Sequence, residues 1–227
     1  MKYEKIVKGI FKARPNRFIA LVELDGKAET VHVKNTGRCR ELLTEGACVY
    51  LSVSNNPSRK TKYDLIAVEK QTQGKVILVN MDSQVVNDVA EEYLSHLFPN
   101  AIIKREVTFG KSRFDFYIEA IDRKIFCEAK GVTLENEGVV SFPDAPTQRG
   151  VKHLNELVSA MEQGYEAMIL FVIQMKGVKY FTPNDKTHKA FGDTLRLCKN
   201  KGVKIMAIDC LITPDTIFPS EEMEVRL

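Results

Sequence analysis

Residues 113–130 read RFDFYIEAIDRKIFCEAK. Alternation of apolar and polar side chains makes two short strands of this stretch. In the first, Phe114, Phe116 and Ile118 share one face, and Arg113, Asp115 and Tyr117 the other. In the second, Ile125, Cys127 and Ala129 share a face, with Phe126, Glu128 and Lys130 opposite. Ala120-Ile121-Asp122-Arg123 is polar enough to be the connecting turn. Asp115, Glu128 and Lys130 are thereby delivered to one place. Two carboxylates and a lysine suit metal-assisted phosphodiester hydrolysis. Carboxylate oxygens hold Mg²⁺ or Mn²⁺ against a scissile phosphate, and the lysine stabilises developing charge or orients a water. An ion pair without metal is the alternative reading, and Glu-x-Lys alone is common by chance.

Working outward, residues 82–98 carry a helical apolar stripe at Val86, Val89, Tyr93 and Leu97, with Asp82-Ser83 as caps and Pro99 as the stop. This helix offers a third acid: Glu92 is preferred over Glu91, with Asp88 one turn earlier, although none lies on the stripe. A strand at 102–109 completes a three-stranded meander. Residues 131–146 show little regular pattern. A second helix begins at Thr147 or Gln148, buries Val151, Leu154, Val158 and Met161, and closes at Gly164. Arg149, Lys152 and His153 lie near its start, where free N–H groups already attract phosphate. His153 could serve in proton transfer, although a surface or packed ring is the commoner role of a single histidine. The uninterrupted apolar run 167–173 predicts a strand buried on both faces. A helix over 185–199 and a strand over 203–208 follow. Residues 81–227 thus read as a mixed α/β sheet flanked by helices.

Residues 1–80 are different. Strands are predicted at 3–13 (broken by Gly9), 18–24, 28–33, 48–53 and 63–68, with a hairpin turn at Asp25-Gly26 and a short helix at 39–43; 76–79 is a strand or linker. Five strands with a helix between the third and fourth is the order of an OB-like barrel. The loops that flank the oligonucleotide groove of such barrels are basic here, with Arg14 and Arg17 in one and Arg59, Lys60 and Lys62 in the other. Phe11, Phe18 and Tyr63 lie nearby, as stacking platforms or as core. Residues 1–80 hold 15 Lys or Arg against 8 Asp or Glu, giving +7, whereas 81–227 hold 18 against 22, giving −4. The first module is therefore drawn to a polyanion, unless its lysines serve only solubility.

Composition narrows the classes. Apolar content of 44% and charged content of 28% are ordinary for a globular chain. No apolar run approaches the roughly 20 residues that cross a bilayer, and the start lacks the apolar core of a signal peptide. Five cysteines without a Cys-x-x-Cys pair argue against a disulfide frame or structural zinc and fit a reducing cytoplasm. Walker, Gly-x-Gly-x-x-Gly and Gly-x-Ser-x-Gly patterns are absent, as are helix-turn-helix and zinc-finger signatures.

Several motifs resemble those of the sugar fermentation stimulation protein family: Asn35-Thr36-Gly37, Ser112-Arg113-Phe114-Asp115-Phe116, Glu128-Ala129-Lys130-Gly131-Val132-Thr133-Leu134, Phe142-Pro143-Asp144-Ala145 and Thr147-Gln148-Arg149-Gly150-Val151-Lys152-His153-Leu154. The resemblance implies a cytoplasmic, non-membrane DNA-binding protein with a regulatory role in sugar (maltose) metabolism. It also implies an OB-like nucleic-acid-binding domain (1–80) followed by a PD-(D/E)XK nuclease-like domain (81–227). By motif, Asp115, Glu128 and Lys130 take the catalytic positions, and Glu92, Asp115 and Glu128 the Mg²⁺ or Mn²⁺ positions. The proline of the nuclease signature is Phe114 here. Whether the chain binds DNA without cutting or is a metal-dependent nuclease of DNA or RNA stays open at the level of sequence.

Overall fold

The computed structural model describes residues 1–35, 37–110 and 112–227; Thr36, inside the Asn35-Thr36-Gly37 motif, and Lys111 lie outside the described residues. Strands β1 (Ile6–Ala13), β2 (Ile19–Leu24), β3 (Lys27–Val33), β4 (Cys48–Val53), β5 (Tyr63–Thr72) and β6 (Lys75–Asn80) form one sheet in the order β3-β2-β1-β4-β5-β6. A parallel pairing of His32 and Val33 with Asp64 and Leu65 closes it into the OB-like barrel. Asp25 and Gly26 take positive φ (48° and 76°), as the tight β2–β3 turn demands. At Gly9 a Cβ would stand 2.6 Å from both Val22 and Leu24, so the barrel wall admits only glycine there. The irregularity of β1 falls further on, between Phe11 and Ala13.

The helix expected at 39–43 does not form. Leu42 and Leu43 donate to the Cys39 carbonyl (3.2 and 3.0 Å) in a single turn that begins at a positive φ of 45°. So short a segment does not offset the cost of nucleating a helix. Cys39 and Leu42 drop into the barrel core instead. Residues 76–79 belong to β6, which pairs with an extended β5.

The second unit comprises α1 (Val86–Leu97), β7 (Ile102–Phe109), β8 (Ser112–Ala120), β9 (Arg123–Val132), β10 (Leu134–Asn136), β11 (Val139–Phe142), α2 (Gln148–Glu162), β12 (Glu166–Ile173), β13 (Tyr180–Pro183), α3 (Asp185–Asn200), β14 (Lys204–Thr213) and β15 (Thr216–Glu222). Its main sheet runs β15-β14-β12-β9-β8-β7, with β9, β12 and β14 parallel and the outer pairs antiparallel. Central strand β12 is buried from Ala167 to Ile173, as its continuous apolar run requires. Val86, Val89 and Leu94 of α1 pack with Phe116, Ile118 and Leu170, whereas Leu154 and Leu157 of α2 pack with Ile169 and Phe171. The sheet is therefore covered on both faces.

Both helical stripes are rotated from the expected ones. Helix α1 buries Ala90 and Leu94 where Tyr93 and Leu97 were expected, and Tyr93 reaches Glu222 through its hydroxyl (2.6 Å). Helix α2, capped by Thr147, buries Gly150, His153, Leu154, Leu157 and Ala160. The apparently irregular 131–146 stretch supplies β10 and β11, which with β13 make a small second sheet. Strands of three or four residues carry no legible period. Barrel and second unit share a continuous core containing Val79, Met81, Val132 and Val140. A buried polar joint reinforces it: Gln174 Nε2 donates to Asn80 Oδ1 and to the Asp82 carbonyl, each at 3.0 Å. No helix is long and apolar enough to cross a membrane among the described residues.

Candidate metal and nucleic-acid site

Pairing of β8 with β9 runs from Ala120↔Arg123 to Phe116↔Cys127 and ends there. At the next residue, Asp115, the carboxylate takes over from the ladder. Its Oδ2 accepts the Ala129 N–H (2.9 Å), satisfying a donor that the departing strand no longer meets. On the other side, β7 carries Glu106 at a positive φ of 55° between the pairs Arg105↔Phe116 and Val107↔Phe114. The break changes the side-chain alternation. Phe114, expected to share a face with Phe116 and Ile118, instead packs on Phe126 with ring centroids 5.2 Å apart.

Asp115 Oδ1 accepts from Asn87 Nδ2 of α1 (3.2 Å). That amide, rather than an acid, is what α1 brings to the site. Glu92 lies 3.7 Å from the Met1 amine, and Asp88 and Glu91 both engage Arg105. The expected third metal acid is therefore not at the site, because Glu92 sits more than one helical turn beyond Asn87.

Glu128 is 1% exposed on β9. Its Oε1 accepts from both Lys130 Nζ and His153 Nδ1, while Oε2, equally buried, has no hydrogen-bond partner. His153, read from sequence as a nucleic-acid contact, lies on the buried face of α2 and holds this carboxylate. Its Nε2 lies 3.3 Å from Arg149 Nε, so the ring spans from Glu128 to the exposed start of α2. Burial pushes the Glu128 carboxyl up, but the His153 hydrogen bond and the Lys130 charge outweigh it and hold the group below the usual range. Asp115 is pushed up, first by burial and then by the negative charge of Glu128.

The donor set fits a hard divalent cation. The bare Glu128 oxygen lacks a partner, and the repulsion felt by Asp115 is what a cation between the two would relieve. Among the described residues no group of three His, Cys, Asp or Glu side chains is placed to hold a metal. Two carboxylates suffice for Mg²⁺, which keeps several waters and shares its shell with substrate phosphate.

Asp115, Glu128 and Lys130 line a cleft of about 730 Å³ between the two units. Asn35 and Gly37 of the barrel line it too, as do Asp144, Pro146 and Arg149. Arg149 and Lys152 are exposed on α2, and Lys152 is 3.7 Å from Glu156.

The barrel loops divide. Arg14 is consumed by structure, donating to the carbonyls of Arg17 (2.8 Å), Asn35 (2.6 Å), Gly37 (2.9 Å) and Arg38 (2.7 Å). Arg59 forks onto Asp64 (2.8 and 2.5 Å). Arg17, Lys60 and Lys62 are exposed, and Lys62 stands 5.4 Å from the Tyr63 ring centroid. Of the aromatic candidates, Phe11 is core and Phe18 is 55% exposed. Asn87 carries no sequence signal, being an amide on a helix whose acids are the usual metal ligands.

Two family models match the chain: the SfsA N-terminal OB domain over residues 13–79 and the sugar fermentation stimulation protein RE domain over residues 81–216. A sugar fermentation stimulation protein homolog of Desulfitobacterium hafniense is 57% identical, covering 100% of this chain and 99% of that one. Its counterpart in Clostridium beijerinckii is 53% identical, with 100% of both chains covered. The solved structure of Pyrococcus furiosus SfsA in complex with Ca²⁺ superposes with a TM-score of 0.87 at 29% identity, over 100% of this chain and 98% of that one.

Proposed function

The chain belongs to the sugar fermentation stimulation protein family, and on that premise we propose that it binds nucleic acid, DNA in the first place, around an Mg²⁺ or Mn²⁺ site of the PD-(D/E)XK nuclease type. The observation that carries this reading is the buried, unpartnered Glu128 Oε2 beside Asp115 in an open cleft. The Pyrococcus furiosus relative is described in complex with Ca²⁺, a cation of the same oxygen preference.

Asp115 and Glu128 would hold the cation. Lys130 and His153, both bonded to Glu128 Oε1, leave the other oxygen free and keep the carboxylate charged. When bound, the cation supplies Lewis acidity toward a phosphodiester and a more acidic water. Arg149 and Lys152 present positive charge to a phosphate at the rim. With no base-reading motif in the chain, contact is to the backbone and independent of sequence. A regulatory role in sugar (maltose) metabolism, exercised in the cytoplasm, would follow from occupancy of DNA.

Calorimetric titration with Mn²⁺ tests the site: one equivalent binds to the wild type and none to Asp115→Asn or Glu128→Gln. Undiminished binding in both variants would overturn it. Asn tolerates position 115 because the Asn87 amide can turn to present its oxygen.

A second reading, metal-dependent phosphodiesterase activity, is favoured by Lys130, whose ammonium stands at the carboxylates where negative charge develops. Plasmid or oligonucleotide nicked in Mg²⁺ or Mn²⁺ by the wild type but not by Asp115→Asn supports it. Absence of metal-dependent nicking leaves a binding protein.

A further inference from the structure

We infer that the carboxylate cleft is the middle of a cationic trough that takes single-stranded nucleic acid, with Arg17, Arg38 and Arg40 as its phosphate contacts on the barrel side. This rests on the nucleic-acid reading above and specifies the strand and its path. A second cavity, of about 660 Å³, is lined by Arg14, Arg17, Arg38 and Arg40. It meets the carboxylate cleft at Gly37, Ala145 and Pro146, which line both. On the far side Arg149 lines both the carboxylate cleft and a third cavity, of about 500 Å³, that Arg113 and Lys152 help to form. The two carboxylates thus lie between two cationic depressions.

The three barrel arginines differ from the others nearby. Arg14 and Arg59 spend their guanidinium donors inside the protein, whereas Arg17, Arg38 and Arg40 are exposed and make no side-chain hydrogen bond or ion pair among the described residues. Like charges gathered around one concavity repel, and a polyanion offsets that cost. The frame beneath them is rigid. Arg14 ties the carbonyls of Arg17, Asn35, Gly37 and Arg38 together, and the Arg38 N–H donates to Asp144 Oδ2 (2.9 Å) across the joint. At Gly37 a Cβ would stand 2.5 Å from that Asp144 oxygen, so the passage between the cavities depends on bare backbone. Asp144 accepts the Arg38 amide, which holds it in place, and Glu41 is the other acid near the arginines.

Phe18 points to a single strand. It follows Arg17 in a turn where Asn16 Oδ1 accepts the N–H groups of Phe18 and Ile19 (2.9 and 3.0 Å), and its ring is exposed. An exposed ring on the residue that follows Arg17 offers a stacking face to an unpaired base, which a duplex does not present.

Fluorescence anisotropy with a labelled oligothymidylate, over roughly 50 to 200 mM salt, tests the path. Each lost phosphate contact makes the log–log salt slope shallower by about 0.7 for a single strand, so Arg38→Ala/Arg40→Ala shifts it by about 1.4 and Arg17→Ala by about 0.7. Lys199→Ala/Lys201→Ala removes the same charge from an exposed site on and just after α3 and leaves the slope unchanged. Phe18→Ala weakens the single strand roughly fivefold or more. A wild-type slope in all the arginine variants, an equal shift in the lysine control, or tighter binding of the matching duplex overturns the inference. The arginine variants keep wild-type Mn²⁺ affinity, which also reports that they fold. No oligonucleotide binding by the wild type would instead mark failure of the nucleic-acid reading itself.

Discussion

Asp64 in the barrel and Glu128 in the second unit are both buried carboxylates, each surrounded by a histidine and long cationic side chains. At Asp64 the donors are spread over both oxygens. His32 Nδ1 and one arm of Arg59 meet Oδ1 (2.9 and 2.5 Å), and the other arm meets Oδ2 (2.8 Å), with Lys34 at 3.8 Å. At Glu128 the histidine and the lysine converge on Oε1 and leave Oε2 bare. Both groups are held below the usual carboxylate range, because hydrogen bonds to Arg59 and His32, or to His153 and Lys130, outweigh the upward push of burial. Residue types and charge therefore do not separate the two places. The separation lies in which oxygen is satisfied. Asp64, paired with His32 across the β3–β5 closure, pins the barrel shut. Glu128 is kept one partner short beside a second carboxylate in the cleft, where a ligand would complete it.

The largest expected effect follows from breaking the satisfied member. Asp64→Ala leaves Arg59 and Lys34 facing an empty acceptor and costs about 3 kcal/mol, the lower end for a broken buried pair because Arg59 is partly solvated. Urea denaturation measures it. The pH dependence gives the sign. Because the folded-state carboxyl titrates below its unfolded value, its stabilisation is fully present above the unfolded value and disappears as pH falls through the folded one. The stability gap between the wild type and Asp64→Asn therefore narrows below about pH 4. A gap as wide at roughly pH 3 as at neutral pH would remove Asp64 from the comparison.

A smaller effect is expected at the open member, and of a different kind. His153→Ala frees Glu128 to turn, so Mn²⁺ affinity falls roughly 10- to 100-fold, the usual cost of losing an outer partner of a metal ligand. His153→Gln returns an N–H donor and recovers part of the loss. His32→Ala, its counterpart at Asp64, lowers stability and leaves Mn²⁺ affinity unchanged. Calorimetry on the three variants decides whether the two histidines do different work. If Mn²⁺ affinity is indifferent to His153, the asymmetry of the Glu128 oxygens carries no functional meaning.

The sequence revealed these places unequally, for physical reasons. Strand alternation is a local property, so the convergence of Asp115, Glu128 and Lys130 was legible, as were the OB-like strand order and the doubly buried β12. Departures from alternation were not. Phe114 crosses to the other face because the β8–β9 ladder stops at Asp115, an event decided between strands. Residue type alone does not place the acids of α1: rotation of the helix delivers Asn87 and sends Glu92 to the amino terminus. His153 reads from sequence as a surface or packed ring beside Arg149 and Lys152, and only the rotation of α2 decides for the packed one. Basic loops were visible as composition, but composition does not say which arginines already have partners.

That last gap separates Arg59 from Arg17. Both sit on loops that flank an OB groove, and both read from sequence as phosphate contacts. Arg59 has its fork engaged by Asp64, and releasing it to a phosphate would leave a buried carboxylate short of its strongest donor. Arg59→Ala is therefore expected to lower stability while shifting the oligonucleotide salt slope by nothing measurable. Arg17→Ala does the reverse, with a shift of about 0.7 at wild-type stability. Anisotropy against salt, paired with urea denaturation, reads both quantities in each variant. If the slope for Arg59→Ala moves as far as that for Arg17→Ala, the Asp64 pair opens to phosphate on binding. The satisfied carboxylate would then be a switch rather than a pin, and its contrast with Glu128 would hold only for the unbound chain.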